Sequence, residues 1–152
     1  MTVETFEFES DFVASLRCVP MAVRLKLDRC GVKLTLRQWS RFTFEDRERL
    51  LHAACDAPSE VAAFREALVD LIAERTGEAA RPLPEPPSAL YASPVRTPEP
   101  VAAYARAQGV SPPADRAWCA LSELQRFALL KLCRDNHDNV NFLPAMREFG
   151  LA

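Results

Sequence analysis

The chain has 152 residues, 49% of them apolar, which suits one domain able to bury a real core. A formal charge of -2 and the lack of a basic tail argue against an obligate nucleic-acid binder, and no apolar run approaches a membrane span. The five cysteines are an odd set, and the start MTVETFEFESDF is acidic, without the apolar stretch of a signal peptide. That combination leads us to expect reduced thiols in a cytoplasmic protein rather than a disulfide framework.

The charge is uneven. Residues 1–16 carry four acids and no base, residues 17–55 nine bases against four acids, and residues 56–80 two bases against six acids. Either the blocks neutralise one another on the folded surface, or an acidic partner docks on the basic block.

In chain order, Thr5 to Glu9 alternates apolar and acidic residues and is too short for more than an extended arm or edge strand. Ser10 or Asp11 then offers an N-cap. Between Phe12 and Leu36 two patterns compete. Val23, Leu25, Leu27 and Val32, Leu34, Leu36 alternate about Asp28-Arg29-Cys30-Gly31 as a β-hairpin would. Yet Phe12, Leu16, Val19, Val23, Leu27 and Cys30 also form one helical stripe, with Pro20 as a restart and Gly31 where a left-handed C-cap belongs.

An internal repeat favours the helix. The stretch GVKLTLRQWSRFTFEDRERLL, Gly31 to Leu51, returns about eighty positions later as GVSPPADRAWCALSELQRFALL, Gly109 to Leu130. Trp39 matches Trp118, Phe42 matches Leu121, Thr43 matches Ser122 and Arg47 matches Arg126. The segment before the second copy, Val101 to Gln108, is alanine-rich and stops at Gly109, as a helix does. Each copy predicts a short turn bearing its tryptophan, with Ser111 and Pro112 as cap and first residue in the second. A main helix follows from Thr43 to about Cys55, or from Ser122 to about Arg134. Ser122-x-x-Gln125 is a capping box and Thr43-x-x-Asp46 a weaker one.

Asp56 to Glu60 opens a further helix that ends before Gly77, with Val61, Phe64, Leu68, Leu71 and Ile72 on one face. Seven prolines between Arg81 and Pro100 then read as an extended connector, tacked down by Leu83, Leu90 and Tyr91. Phe142, Leu143, Met146 and Phe149 define a short docking helix in the tail. The fold class expected is all-α: a single helical domain of two related helical units (10–77 and 101–152) joined by a Pro-rich connector (78–100).

Candidate chemistry is sparse. Four scattered glycines make no phosphate loop, and neither GxSxG nor HExxH occurs. Two histidines leave little for acid–base work, so we expect no enzyme and assign no cofactor. His52 with Cys55, and Cys133 with His137, lie three and four apart and would form a Cys₂His₂ metal set if the units bring them together. Plain buried thiols are the simpler account. Cys18 and Cys30 stand among Arg17, Arg24 and Arg29, cations that would favour thiolates; alternatively Cys30 packs in the helix stripe and the arginines pair with Asp28 and neighbouring acids. Arg47 and Arg126, at one repeat position, read as braces of helix ends. The polar run Asp135 to Asn139 is read as a turn. The second main helix is too apolar for a helix-turn-helix reader.

The blocks Leu16-Arg17-Cys18-Val19-Pro20-Met21, Val23-Arg24, Lys26-Leu27-Asp28 and Cys30-Gly31-Val32-Lys33-Leu34 resemble the signature of the bacterial nitrate-reductase-associated proteins. Trp39, Arg41-Phe42, Cys55-Asp56, Leu124 to Leu129, Lys131-Leu132, Asn141 to Ala145 and Glu148-Phe149-Gly150 are similar to it as well. The resemblance spans roughly Phe8 to Leu151 and leaves out the proline-rich connector and Cys119. It implies an accessory role in nitrate assimilation. Members are encoded near assimilatory nitrate reductase, a molybdenum-cofactor and iron–sulfur enzyme, and serve its active form. The partner implied is that reductase, with no nucleic acid and no membrane. No catalytic residue comes with the resemblance. Arg17, Cys18, Arg24, Asp28 and Cys30 are the candidate partner-binding face, because charge and thiols gather there without an evident core reason.

Overall fold

The computed structural model describes residues 5–84, 89–92, 94–134 and 139–152. They are mainly helical and fall into two compact units divided between Pro87 and Ser88, with Phe6–Phe8 belonging to the second.

In the first unit, α1 (Ser10–Val13) is a single turn, and α2 (Met21–Cys30) starts after Pro20 and stops at Gly31. Gly31 has φ 71° and its N–H reaches back to Leu27 O, the left-handed stop that a residue without Cβ makes cheaply. The helical reading of 21–30 therefore holds. The extended residues beyond it, β1 (Val32–Lys33), pair with β2 (Arg81–Pro82) rather than folding back on 23–27. Thr35 and Thr43 then cap α3 (Leu36–Arg41) and α4 (Phe44–His52), each through a complete capping box. The long α5 (Pro58–Thr76) has Pro58 in its first turn and Gly77 as its left-handed stop. Phe64, Leu68 and Ile72 recur along its inner face, 3% exposed or less, and α2 and α3 pack against that helix. Burying each such side chain contributes about 1.5–3 kcal/mol. Leu71, expected on the same face, is only half-buried.

In the second unit, α6 (Ala89–Ala92), α7 (Glu99–Ala107) and α10 (Phe142–Glu148) surround α9 (Glu123–Arg134), and α8 (Asp115–Ala120) carries Trp118. Phe127, Ala128, Leu129 and Leu132 of α9 are at most 1% exposed, as are Phe142, Ala145 and Met146 of α10. Phe6 and Phe8 meet Phe149, with ring centroids 5.0 and 6.4 Å away.

Five local expectations need correction. Glu7–Glu9 forms a 3₁₀ turn, not an extended arm, and α1 is preceded by Glu9, with no side-chain cap from Ser10 or Asp11. Helix α4 ends at His52, three residues short of Cys55, because the Lys26 ammonium takes up its last carbonyls, those of Leu50 and Leu51, at 3.1 and 2.5 Å. Ser111 and Pro112 precede α8 without starting it; the helix begins at Asp115. The connector is not wholly extended, since Ala89-Leu90-Tyr91-Ala92 is a proline-free stretch long enough for one turn and Tyr91 is buried against Phe127, 5.2 Å between centroids. Residues 85–88 and 93 of the connector, and 135–138 of the polar run, lie outside the described residues.

Candidate functional site

The loop between α1 and α2 carries the first signature block, and it is held at both ends. Leu16 adopts φ 54°, the one positive φ at a non-glycine among the described residues. A left-handed leucine costs about 1–3 kcal/mol and persists only where its surroundings over-determine it. Here Leu16 N–H donates to Phe12 O at 2.7 Å, and Leu16 O accepts the indole N–H of fully buried Trp39, also at 2.7 Å. At the other end Met21 N–H donates to the buried carboxylate of Glu9 at 2.7 Å. Glu9 thereby caps α2 from twelve residues upstream, a service Pro20 cannot perform. Between these ties sit exposed Arg17, paired with exposed Asp11 at 3.5 Å, and the half-buried free thiol of Cys18. An ion pair so open contributes less than about 1 kcal/mol, so the Arg17 charge remains available.

The other three candidates of the expected face lie on α2, and the structure separates them. Arg24 is half-buried, whereas Asp28 and Cys30 are 7% and 8% exposed and do not present themselves to a partner. The reason is the helical stripe: Cys30 lies one turn beyond Leu27 and its thiol donates to Leu27 O at 3.6 Å. Burial pushes that thiol's pKa up, the opposite of a reactive thiolate. The neighbouring cation Arg29 is spent elsewhere, donating to Cys55 O at 3.1 Å and pairing with Asp56 at 2.8 Å.

The metal-set candidates behave similarly. His52 is exposed on the last turn of α4, while Cys55 is buried with its pKa pushed up to about 11, chiefly by desolvation. In the second unit Cys133, its thiol donating to Leu130 O at 3.3 Å, is also raised to about 11 by burial. His137 lies outside the described residues. Among the described residues no three His, Cys, Asp or Glu side chains gather as metal ligands.

Arg47 and Arg126 act as helix-end braces. Arg47 donates to Trp39 O and Ser40 O at 3.2 and 3.3 Å and lies 5.7 Å over the Trp39 ring. Arg126, 7% exposed, donates to Tyr91 O at 2.8 Å and to Leu121 O.

Sequence reading missed how much Asp46 does. Its carboxylate, wholly buried, accepts Thr43 N–H at 2.9 Å, Arg49 at 2.7 Å and a two-pronged Arg75 at 2.8 and 3.3 Å. The Arg75 hydrogen bonds above all hold its pKa far below the ordinary carboxylate value. The Thr43-x-x-Asp46 box was visible in the sequence; Arg75, twenty-nine residues on, was not. Beside this clamp, α4 and α5 leave an apolar groove of about 260 Å³ lined by Leu50, Ala53, Phe64, Ala67 and Leu71.

These observations define a mainly helical protein in which Lys26, Arg47, Arg126 and Asp46 brace helix ends and whose first unit presents a clamped loop carrying Arg17. No helix among the described residues is long and apolar enough to cross a membrane. The chain belongs to the conserved nitrate reductase-associated protein family, which it matches over residues 5–149. The clamped loop and its signature residues fall within that span. Comparison with curated proteins and with solved structures finds no match.

Proposed function

We propose that this protein is a non-enzymatic accessory or maturation factor in nitrate assimilation, which binds assimilatory nitrate reductase or assists its cofactor or iron–sulfur loading. The observation that carries this reading is family membership over nearly the whole chain. In it, the two helical units are the repeated halves of one cytoplasmic domain and the Pro-rich connector joins them. The docking face is the clamped loop, with Arg17, Cys18 and Arg24 toward the partner and Asp28 and Cys30 behind them as support. A loop whose ends are already fixed loses little conformational freedom on binding, which favours affinity from a small contact.

The test is the specific activity of nitrate reductase purified from one host with and without this protein. Co-expression should raise activity per milligram, and the molybdenum and iron content of the two samples then names the loading step. Arg24→Glu should abolish the rise while leaving helical circular dichroism unchanged. Identical specific activity with and without the protein overturns the maturation reading. A rise that survives Arg24→Glu removes that face alone.

A further inference from the structure

A second charged feature of the first unit lies apart from the proposed docking face and outside the function just proposed. The β1–β2 register sets Lys33 directly opposite Arg81. Directly opposed residues of an antiparallel pair project on the same face with Cβ atoms about 5 Å apart, and like charges there repel. Both side chains are exposed, and among the described residues neither has a hydrogen-bond or ion-pair partner. They line a cleft of about 190 Å³ together with Thr35, Arg37, Gln38 and Glu78. Glu78 relieves them only in part: it attracts Arg81 across the cleft, but its hydrogen bonds go to Arg37 at 2.5 Å and to the amide of buried Gln38 at 3.3 Å. The cleft thus holds three cations against one committed carboxylate.

Opposite charges directly across a ladder stabilise it, and like charges destabilise it. This one keeps a repelling pair over a concave surface that already accommodates one carboxylate. We propose that the cleft is a carboxylate-binding site, in which Lys33 and Arg81 receive the two oxygens of a second carboxylate beside Glu78. A guanidinium and an ammonium converging from two strands suit a planar, two-oxygen anion. The carboxylate comes either from a free dicarboxylate or from an acidic side chain of a polypeptide, and the two sources share this chemistry.

The test titrates the full chain with succinate and, separately, with a hexaglutamate peptide. Amide shifts are followed by NMR, with sodium chloride at matched ionic strength as the control. Saturable shifts centred on Lys33, Arg81 and Glu78 are expected; saturation by succinate assigns a free dicarboxylate, and saturation by the peptide alone a polypeptide source. The variant Arg81→Glu should weaken binding about tenfold or more, as expected for loss and reversal of a charged partner. Lys33→Glu should weaken binding as well; it turns the repelling pair into an attracting one and leaves the Arg81–Glu78 attraction in place, so its denaturation midpoint should equal or exceed that of the parent chain. Stability and binding moving in opposite directions is an outcome that a merely structural Lys33 would not give. The proposal is overturned if neither probe saturates, if chloride reproduces the shifts, or if Arg81→Glu binds as the parent does.

Discussion

Trp39 and Trp118 hold matched places in the two halves of the sequence, both wholly buried, yet their indole N–H groups meet different fates. That of Trp39 is satisfied by Leu16 O, whereas that of Trp118 has no hydrogen-bond partner among the described residues. An unsatisfied buried donor costs about 1–3 kcal/mol, similar to what a left-handed leucine costs. The first unit therefore accepts backbone strain at Leu16 and gains a satisfied tryptophan and a fixed signature loop. In the second unit the loop before α8 is tied instead by Thr97, which donates to Asp115 and to Pro113 O at 2.9 and 2.8 Å. Similar local sequence can thus produce a helix pair in both places while only one of them fastens a loop through its tryptophan.

The matched arginines invert the contrast, and here the largest effect is expected. Arg126 is buried and serves the carbonyls of Tyr91 and Leu121, so Arg126→Ala orphans two acceptors and should cost about 3 kcal/mol in urea unfolding. Arg47 is half-buried with longer bonds of 3.2 and 3.3 Å, and Arg47→Ala should cost about 1 kcal/mol. Equal costs would mean that water replaces the guanidinium at both sites.

Next in size are the tryptophans themselves. Trp39→Phe removes a bond to a buried carbonyl as well as ring volume and should cost about 2 kcal/mol or more. Trp118→Phe loses similar volume but also relieves an orphan donor, so its cost should be smaller by about 1 kcal/mol. If Trp118→Phe proves the costlier, an ordered water or another acceptor meets its N–H in solution, and the contrast between the units disappears.

What the sequence made legible follows the range of the interactions. Helices α2 and α5 were readable because both their apolar period and their stops at Gly31 and Gly77 are written within a few residues. The boxes at Thr43 and Ser122 were readable for the same reason: Gln125 N–H donates to Ser122 Oγ at 3.1 Å and Ser122 N–H to Gln125 Oε1 at 2.9 Å. The β1–β2 pair, the Glu9 cap on Met21 and the Arg75 fork on Asp46 join residues far apart in sequence, and no local pattern announces such pairings. The burial of Cys30 was legible, because the stripe through Val23 and Leu27 turns it inward; that of Asp28, which lies off the stripe, was not.

The smallest effect expected separates the two boxes by acid. Asp46 and Gln125 occupy matched positions, so the first box closes on a carboxylate and the second on a neutral amide. Asp46 has its pKa lowered by the hydrogen bonds and charge of Arg75 and by the hydrogen bonds of Thr43, against the opposing effect of burial. A group depressed in the folded state contributes stability above its unfolded value, here 3.8, and that contribution fades as pH falls through and below it. From pH 6 to pH 3 this one group should account for roughly 1 kcal/mol. Glu78 is also lowered, chiefly by Gln38, and titrates in the same direction within the same unit. Asp46→Asn isolates the larger contributor: it should lower stability at pH 6 while flattening the acid dependence. Hydrogen exchange read amide by amide should show α4 losing protection at pH 3 while α9, closed by Gln125, keeps it. Equal loss in both helices would mean that Asp46 does not set the acid limit of its own unit. An Asp46→Asn chain with undiminished acid dependence would assign that limit to Glu78 or to another carboxylate.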